Sequence, residues 1–396
     1  MTPKSRRAKR RIPKPVRRLV GFVVAFVLLY FLVLPKLSQQ KGRLNLLTHI
    51  NLAYVAASLV LEAASLVAYA MLTRSILTQF GKPARLRRLV QVGMSTLAIT
   101  RVLPGGSAAG TGLGYRLLTG MGYSQADAGL TLAVQSVGSA AVLNALLWVG
   151  LVASIPLRAI HRSPGSGALP KTLYITAALF GALLVGVFGF VVLSLTRGQE
   201  RALKIVHAVC RRLRFLDEDS VVRMVQRVSD QLKVMVSDRS LLLRAVVWAS
   251  ANWLFDAAAL WVMVAAFHYR LGPDALIISY CIANIVAAIP ITPGGLGVVE
   301  VVLTSALTAY GAPGQVAALG VIAYRLVSFW LPIPAGGIAY LTLRLDPQFR
   351  ERQQQTERER DQEQEQRLRE GGLRTWAGEH GVKVGPVPEA EAGVEE

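Results

Sequence analysis

Long apolar runs separated by basic or polar segments dominate this chain. An apolar run that approaches 20 residues is long enough to cross the hydrocarbon core of a bilayer as a helix. The predicted spans are residues 19–34, 50–72, 128–155, 173–195, 241–267 and 315–343. The pattern therefore predicts an all-α polytopic membrane protein with about six spanning helices.

Two further apolar segments, residues 89–123 and 276–310, are each interrupted near the middle by Pro-Gly-Gly. Each half has about 15 residues, or ~22 Å as a helix, which is shorter than a ~30 Å hydrocarbon core. We therefore predict two re-entrant helical hairpins, and two short tilted spans in each segment fit the pattern as well. The residues predicted to form the turns are Pro104, Gly105, Gly106, Pro293, Gly294, Gly295 and Gly297.

The two hairpins belong to an internal repeat. At a fixed offset of 189 positions, the two Pro-Gly-Gly sequences align, and Gly122 aligns with Gly311 without a gap. The flanking spans follow the same order, so repeat one covers residues 50–155 and repeat two covers residues 241–343. The charge bias places the hairpins on opposite sides of the membrane. This predicts an inverted-topology repeat, an arrangement found in many secondary transporters.

The charged residues are clumped beside the apolar spans. Of the 396 residues 53% are hydrophobic and 17% are charged, and the formal net charge is +20. The positive-inside rule and anionic lipid explain this excess, so we expect no nucleic-acid partner. We predict that residues 1–18, 197–240 and 344–396 are cytoplasmic, the last as a polar, partly disordered tail. A bacterial inner-membrane protein with both termini in the cytoplasm fits this orientation.

The basic segment at residues 197–240 has apolar residues at helical spacing. A helix lying on the inner leaflet and a solvated helical linker both fit this pattern.

Ionisable residues within the apolar segments are the main candidates for function, because charge is costly inside a membrane. We predict ion pairs of Glu300 with Arg325 and of Glu62 with Arg101, since pairing lowers the desolvation cost. An arginine without a partner would instead suit a phosphate group. The alternative role for each charge is a structural salt bridge. The candidate substrate-binding or ion-coupling residues are Glu300, Arg325, Arg101, Glu62, Asp256 and Asn252.

Sequence patterns of common enzymes are missing from the chain. It has no Walker A sequence, no Gly-x-Ser-x-Gly and no dinucleotide-binding fingerprint, and its histidines lack metal-ligand spacing. We therefore predict no catalytic residues, no metal and no cofactor. The glycines from Gly105 to Gly114 resemble a phosphate loop, but the strand and the Lys-Ser/Thr ending are missing. We interpret them as residues for turns and close helix packing.

Three pieces of sequence carry a resemblance to a known family: Arg-Val-Leu-Pro-Gly-Gly at residues 101–106, Ile-Thr-Pro-Gly-Gly-Leu-Gly-Val-Val-Glu at 291–300, and residues 311–325. They resemble the lysylphosphatidylglycerol synthase transmembrane, or flippase-like, family over roughly residues 46–343. The resemblance implies a membrane domain linked to lipid flipping. In the synthases a separate cytoplasmic domain makes the lipid. The polar tail here, about fifty residues, is too short for such a domain, so we expect no synthase activity.

These features predict a flippase-like transporter that binds an anionic or sugar-bearing lipid in a cavity between the hairpins. The lipid would be a phospholipid, a polyprenyl lipid or a glycolipid. Its movement would be passive or ion-coupled, with Glu62, Asp256 and Glu300 as candidate proton carriers. Two alternatives are a non-transporting scaffold that assists a glycosyltransferase or lipid-modifying enzyme, and a membrane-embedded transferase whose carboxylate acts as a base.

Overall fold

The described part of the chain folds into helices connected by short turns. The structure is a computed structural model, which describes residues 51–81, 84–103, 105–160, 186, 238–288, 292–347, 349–351, 355 and 358. The α-helices in this part are α1 (Leu52–Leu77), α2 (Leu86–Val102), α3 (Gly106–Thr119), α4 (Gln125–Ile160), α5 (Arg239–Ala265), α6 (Pro273–Ala287), α7 (Val298–Ala309), α8 (Gly314–Arg325) and α9 (Pro332–Leu345). Short 3₁₀ turns lie at Thr78–Phe80 and Pro293–Gly295, and a π-helical turn lies at Leu326–Trp330.

Several predicted segments lie outside the described residues. They are the basic N-terminus at 1–18, the spans at 19–34 and 173–195, nearly all of the basic segment at 197–240, and most of the tail beyond residue 351.

Within the described residues, four helical stretches are long and apolar enough to cross a membrane. They are Leu52–Phe80, Gln125–Ser154, Arg239–Ala265 and Gly314–Leu345, and they coincide with four of the six predicted spans. Large apolar side chains on these helices point outwards: Leu52 is 79% exposed, Val60 68% and Ile338 63%. Exposed apolar surface of this extent is unusual for a soluble monomer and matches the lipid chains of a bilayer.

Capping residues fix where the spanning helices begin. The Asn51 side chain accepts a hydrogen bond from the Ala53 N–H (2.9 Å) at the start of α1. Asp238 accepts from the N–H groups of Ser240 and Leu241 (3.0 and 3.1 Å) at the start of α5. Such caps satisfy N–H groups that have no partner within the helix. The bond from Leu241 is the main cause that lowers the pKa of Asp238.

Both apolar segments with a central Pro-Gly-Gly form helical hairpins. Helices α2 and α3 pack against each other, and so do α6 and α7. Gly105 lies at φ 67°, ψ 25° and the aligned Gly294 at φ 57°, ψ 24°, in the left-handed region that favours glycine. The aligned Gly122 and Gly311 also agree, with φ of 95° and 93°. The two repeats therefore share their backbone conformation at both the turn and the exit of the hairpin. Pro104 lies outside the described residues.

The two repeats are interlocked by reciprocal packing. The first helices of the repeats, α1 and α5, pack against each other along much of their length. Helix α2 of the first hairpin packs against α9 of the second repeat, and α6 of the second hairpin packs against α4 of the first repeat. Each hairpin therefore packs against the last helix of the other repeat.

Glycines bring the two legs of hairpin one close together, as the sequence predicts. A Cβ atom added at Gly110 would lie 3.0 Å from the Thr96 carbonyl oxygen, and one at Gly114 would lie 3.2 Å from Thr96 Cγ2. Gly112 differs, since a Cβ there would meet no atom within 4 Å.

Two predicted helix ends were wrong, and one predicted span has an irregular turn within it. Helix α1 continues through Arg74 to Leu77, because its last turn buries Ile76 and Leu77 in the core. Helix α4 continues past Pro156 to Ile160, since a proline removes one helical hydrogen bond and need not end a helix. The span predicted at 315–343 is interrupted by the π-helical turn, where the Leu331 N–H donates to the Leu326 carbonyl (3.0 Å).

The start of the polar tail packs against the first hairpin. Phe349 is buried, 3% exposed, and packs with Val92, Leu117 and Met121 of hairpin one. Arg88 and Asp346 form an ion pair nearby, with 2.8 Å between Nη2 and Oδ2. The chain therefore folds back onto the first hairpin directly after α9, because a single aromatic residue within a polar tract finds an apolar site there.

Neighbouring glycines of α9 give a test of the packing between the repeats. A Cβ atom at Gly336 would clash with the Met94 carbonyl oxygen of α2 and lie 2.7 Å from Ala98 Cβ, whereas a Cβ at Gly337 would meet nothing within 4 Å. Gly336→Ala should destabilise the protein by about 1–3 kcal/mol through overpacking. Gly337→Ala, the control, should be neutral or stabilising by up to about 1 kcal/mol, because alanine favours helix.

Thermal unfolding of the two variants in detergent measures this difference. Equal unfolding temperatures for the two variants would contradict the close approach of α2 and α9.

Candidate functional site

The turns of the two hairpins touch each other. The turn of hairpin two packs against both α2 and α3 of hairpin one. A Cβ atom at Gly294 would lie 3.1 Å from Arg101 Cα and 2.6 Å from Phe329 Cε2. Because that space and a φ of 57° exclude a larger residue, Gly294 allows the two turns to meet. We call this contact region the hairpin junction.

Glu300 and Arg325 form the ion pair that the sequence predicts. Arg325 Nε lies 2.8 Å from Glu300 Oε1, with side-chain exposures of 9% and 16%. Arg325 Nη2 also donates to the Gly294 carbonyl (3.3 Å). The other Glu300 oxygen accepts from the Gly297 N–H (2.8 Å) at the start of α7. The pair therefore joins the end of α8 to the turn of hairpin two.

Phe329 lies between two guanidinium groups at the hairpin junction. Its ring centroid is 4.3 Å from Arg325 Cζ and 5.4 Å from Arg101 Cζ, both within cation–π distance. The Phe329 carbonyl accepts a hydrogen bond from Arg101 Nη1 (3.1 Å). Phe329 belongs to the π-helical turn, a feature that is frequent at functional sites. This turn brings both the ring and the carbonyl of one residue to the junction.

The predicted ion pair of Glu62 with Arg101 is not formed. Among the described residues, the Arg101 side chain has one hydrogen-bond acceptor, the Phe329 carbonyl. No carboxylate oxygen of these residues lies within 4.0 Å of the Arg101 guanidinium nitrogens. Arg101 lies at the end of α2 and reaches the hairpin junction, whereas Glu62 on α1 faces α5. As a whole residue, Arg101 is half-buried.

Glu62 lies instead beside Asp256, where α1 packs against α5. Asp256 Oδ2 accepts from the Tyr280 hydroxyl (2.6 Å) and Oδ1 from the Tyr324 hydroxyl (2.7 Å). We call Glu62, Asp256, Tyr280 and Tyr324 the carboxyl cluster. It adjoins the hairpin junction, because Tyr324 directly precedes Arg325.

Asn252 lies one helical turn before Asp256 on α5. The Ser65 hydroxyl of α1 donates to its backbone carbonyl (3.0 Å). Five of the six candidate residues predicted from the sequence therefore lie at the hairpin junction or in the carboxyl cluster, and Asn252 lies one helical turn from that cluster.

Sequence reasoning missed three aromatic residues of the site, Tyr280, Tyr324 and Phe329. The position of Tyr324 next to Arg325 was a usable signal. Tyr280 and Phe329 gave none, since aromatic residues in apolar helices ordinarily serve in packing.

Metal binding finds no support in the described part of the chain. It contains no group of three or more His, Cys, Asp or Glu side chains that could hold a metal ion. The hairpin junction instead contains Arg101, Arg325 and the start of α3. The carboxyl groups of Glu62 and Asp256 lie next to it.

Long apolar helices, outward apolar side chains and an enclosed polar centre define a multi-pass helical membrane protein. A family model described as the lysylphosphatidylglycerol synthase TM region matches residues 18–336. The chain belongs to this family, which confirms the resemblance seen in the hairpin sequences.

Curated relatives match shorter regions. A UPF0104 membrane protein of Methanothermobacter thermautotrophicus is 26% identical over 170 residues, which cover 41% of this chain and 51% of the relative. A UPF0104 membrane protein of Methanocaldococcus jannaschii is 25% identical over 143 residues, 36% of this chain and 43% of the relative. An uncharacterized protein of Synechocystis is 31% identical over 104 residues, 26% of this chain and 31% of the relative.

The matched regions thus span about half, or less, of the length of these relatives. The relatives include archaeal proteins, so the bacterial origin stays a prediction.

A double-mutant cycle tests the buried ion pair. Glu300→Leu or Arg325→Met alone should lower the free energy of unfolding by about 3 kcal/mol, because each leaves a charge buried without its partner. The free energy of unfolding of the double variant should fall by much less than the sum of the decreases in the two single variants. Glu300→Leu also removes the acceptor for the Gly297 N–H, but this loss occurs with and without Arg325 and cancels in the cycle.

The more exposed pair of Arg88 with Asp346 serves as the comparison, with an expected coupling below about 1 kcal/mol. Chemical unfolding in detergent gives the four free energies of each cycle. Strictly additive losses at Glu300 and Arg325 would show that the pair is not coupled.

Proposed function

We propose that the protein binds a membrane lipid with an anionic or sugar-bearing head group at the hairpin junction and moves it between the leaflets. The observation that carries this proposal is Arg101, a half-buried arginine beside the junction with no carboxylate partner among the described residues. A guanidinium has five N–H donors in a fixed fork, and one hydrogen bond to the Phe329 carbonyl uses few of them. The remaining donors suit the oxygens of a phosphate group, which arginine binds in a bidentate manner.

The start of α3 supports an anionic head group over a neutral one. Helix α3 begins at Gly106, close to Arg101 in the chain. The Ala108 N–H donates to the Gly105 carbonyl (3.0 Å), and the N–H groups of Gly106 and Ser107 precede the first carbonyl that the helix could offer them. Together with the helix dipole, such groups favour an anion. Gly105, Ser107 and Ala108 are exposed, so their small side chains leave the backbone approachable.

We also propose that both hairpins are re-entrant and enter from opposite faces of the membrane. The helices of the hairpins have 12 to 17 residues, or ~18–25 Å at ~1.5 Å per residue, less than a ~30 Å core. Hairpins that entered from opposite faces and spanned the core fully would have their turns at opposite surfaces. The contact of Gly294 with Arg101 and Phe329 therefore supports turns that meet within the membrane.

Replacing Arg101 tests the proposed lipid site. Arg101→Gln should slow the movement of labelled phosphatidylglycerol in proteoliposomes by about tenfold or more, because a charge-assisted hydrogen bond contributes about 1.5–3 kcal/mol. The control is Arg116→Gln, which removes an exposed arginine from the same hairpin at a distance from the junction and should keep the rate. Fluorescence quenching of lipid in the outer leaflet measures the movement.

Three outcomes of this assay bear on the proposal. Equal rates for Arg101→Gln and the unchanged protein would rule out Arg101 as the head-group ligand. A wild-type protein that moves no lipid would contradict the transporter and favour the scaffold. Loss of movement with a glycolipid but not with phosphatidylglycerol would assign the site to a sugar head group.

Single cysteines at aligned positions test the inverted topology. Ala126 and Gln315 occupy equivalent, exposed positions just after the two hairpins. In a chain without Cys210 and Cys281, Ala126→Cys should react with a membrane-impermeant maleimide only from the cytoplasmic side, and Gln315→Cys only from outside. Labelling of spheroplasts and of inverted vesicles measures both. Reaction of both thiols from the same side would overturn the inverted repeat.

A further inference from the structure

The carboxyl cluster contains a buried acid whose hydrogen bonding is incomplete. Glu62 lies near the middle of α1, where this helix packs against α5, and it is 9% exposed. Its Oε1 atom is enclosed and has no hydrogen-bond partner. An ionised carboxylate left in this way is costly, so the geometry requires either a missing donor or a proton on Glu62.

Asp256 has the donors that Glu62 lacks. The hydroxyl groups of Tyr280 and Tyr324, 1% and 4% exposed, each donate to a different oxygen of Asp256, at 2.6 and 2.7 Å. Both oxygens of Asp256 therefore already accept a hydrogen bond. Two adjacent carboxyl groups in a buried site do not both ionise readily. Because the donors are on Asp256 and Glu62 Oε1 has none, the geometry favours a shared proton held on Glu62.

The charges around Glu62 agree with this arrangement. Arg101 of α2 and Arg325 of α8 are the cations that act on it, and Asp256 is the acidic neighbour. Glu300 of α7 neutralises Arg325 directly. Helix α4 also packs against α1, and within residues 125–154 its one charged side chain is Asp127 in the first turn. The π-helical turn, Leu326–Trp330, carries no titratable group.

With Glu62 neutral, two arginines balance two carboxylates. An anionic head group bound at Arg101 would leave the site with an excess negative charge if Glu62 were ionised as well. Binding of the anion should therefore favour the protonated form of Glu62. By thermodynamic reciprocity, a proton on Glu62 should strengthen binding of the anion.

We propose that Glu62 and Asp256 share one exchangeable proton, held on Glu62, and that this proton moves together with an anionic lipid head group. The coupling rests on the proposed lipid movement, but the proton site does not. The two parts are therefore tested separately.

Infrared spectroscopy of the full-length protein in lipid nanodiscs tests the proton site without any transport. The wild-type protein at neutral pH should show the C=O absorption of a protonated carboxyl group, and this absorption should disappear when the pH is raised. Glu62→Gln should lack it, whereas the control Asp127→Asn should keep it. Absence of the absorption in the wild-type protein, or its persistence in Glu62→Gln, would overturn the proposal. The titration of the wild-type protein keeps the test decisive even if Glu62→Gln folds poorly.

A pH gradient tests the coupling. Proteoliposomes of phosphatidylcholine with labelled phosphatidylglycerol should move the label roughly fivefold faster or more when the leaflet of origin faces acid, within the usual range of coupling between sites. Glu62→Gln should move it at a rate that no longer depends on the gradient. A rate of lipid movement by the wild-type protein that does not depend on the pH gradient would overturn the coupling. No lipid movement at all would refute the proposed function, and the infrared result would still decide the proton site.

Discussion

Mutual neutralisation of buried charge is the constraint on which the centre of this protein depends. In a domain whose outer surface faces lipid, charged side chains are costly unless they are paired or hydrogen-bonded. Arg325 is neutralised by Glu300 and also donates to the Gly294 carbonyl, whereas Arg101 has one hydrogen bond, to the Phe329 carbonyl, and a cation–π contact with its ring. These partners come from different helices and from a hairpin turn. Burial of charge and the meeting of the hairpins are therefore linked, because separating the turns would take Arg101 of hairpin one away from the Phe329 carbonyl and ring.

The repeat supplies the scaffold, and the charges break its symmetry. Gly105 and Gly294 share a left-handed backbone, as Gly122 and Gly311 share a positive φ. The same offset of 189 positions aligns Arg325 with Ser136 of α4 in the sequence. The first repeat therefore has no charge at the position equivalent to Arg325. Duplication can therefore explain the interlocked packing but not the polar site. A binding site with arginines on one side and carboxyl groups on the other needs this asymmetry, since a symmetric centre would place like charges together.

The sequence predicts the parts of this molecule that depend on local pattern. Apolar length predicts the long helices, and Pro-Gly-Gly predicts both hairpin turns, because a proline followed by glycine disfavours continued helix wherever it occurs. The Glu300–Arg325 pair could be predicted because pairing of opposite charges lowers the cost of burying each of them. That same rule failed for Glu62 and Arg101. Which charges meet is decided by the rotation of α1 against α5. Of the two hydroxyl donors that make an acidic neighbour tolerable, Tyr324 is marked only by its position next to Arg325, and Tyr280 carries no signal in the sequence. The π-helical turn was also missed, because one additional residue in a turn leaves the apolar pattern nearly unchanged.

Under the proposed coupling, a shared proton would let the site change state as the lipid ligand leaves. If Glu62 released its proton with Arg101 unoccupied, the centre would carry one negative charge beyond the two arginines. That charge would disfavour a second anion and strengthen the attraction of both arginines toward the carboxyl cluster. Arg101 is held at the junction by one carbonyl and one aromatic ring, whereas Arg325 has a carboxylate at 2.8 Å. Because its restraint is weaker, we expect Arg101 to be the side chain that responds first. Proton release and loss of the lipid ligand would then be linked through the same guanidinium, without any need for the long helices to move independently.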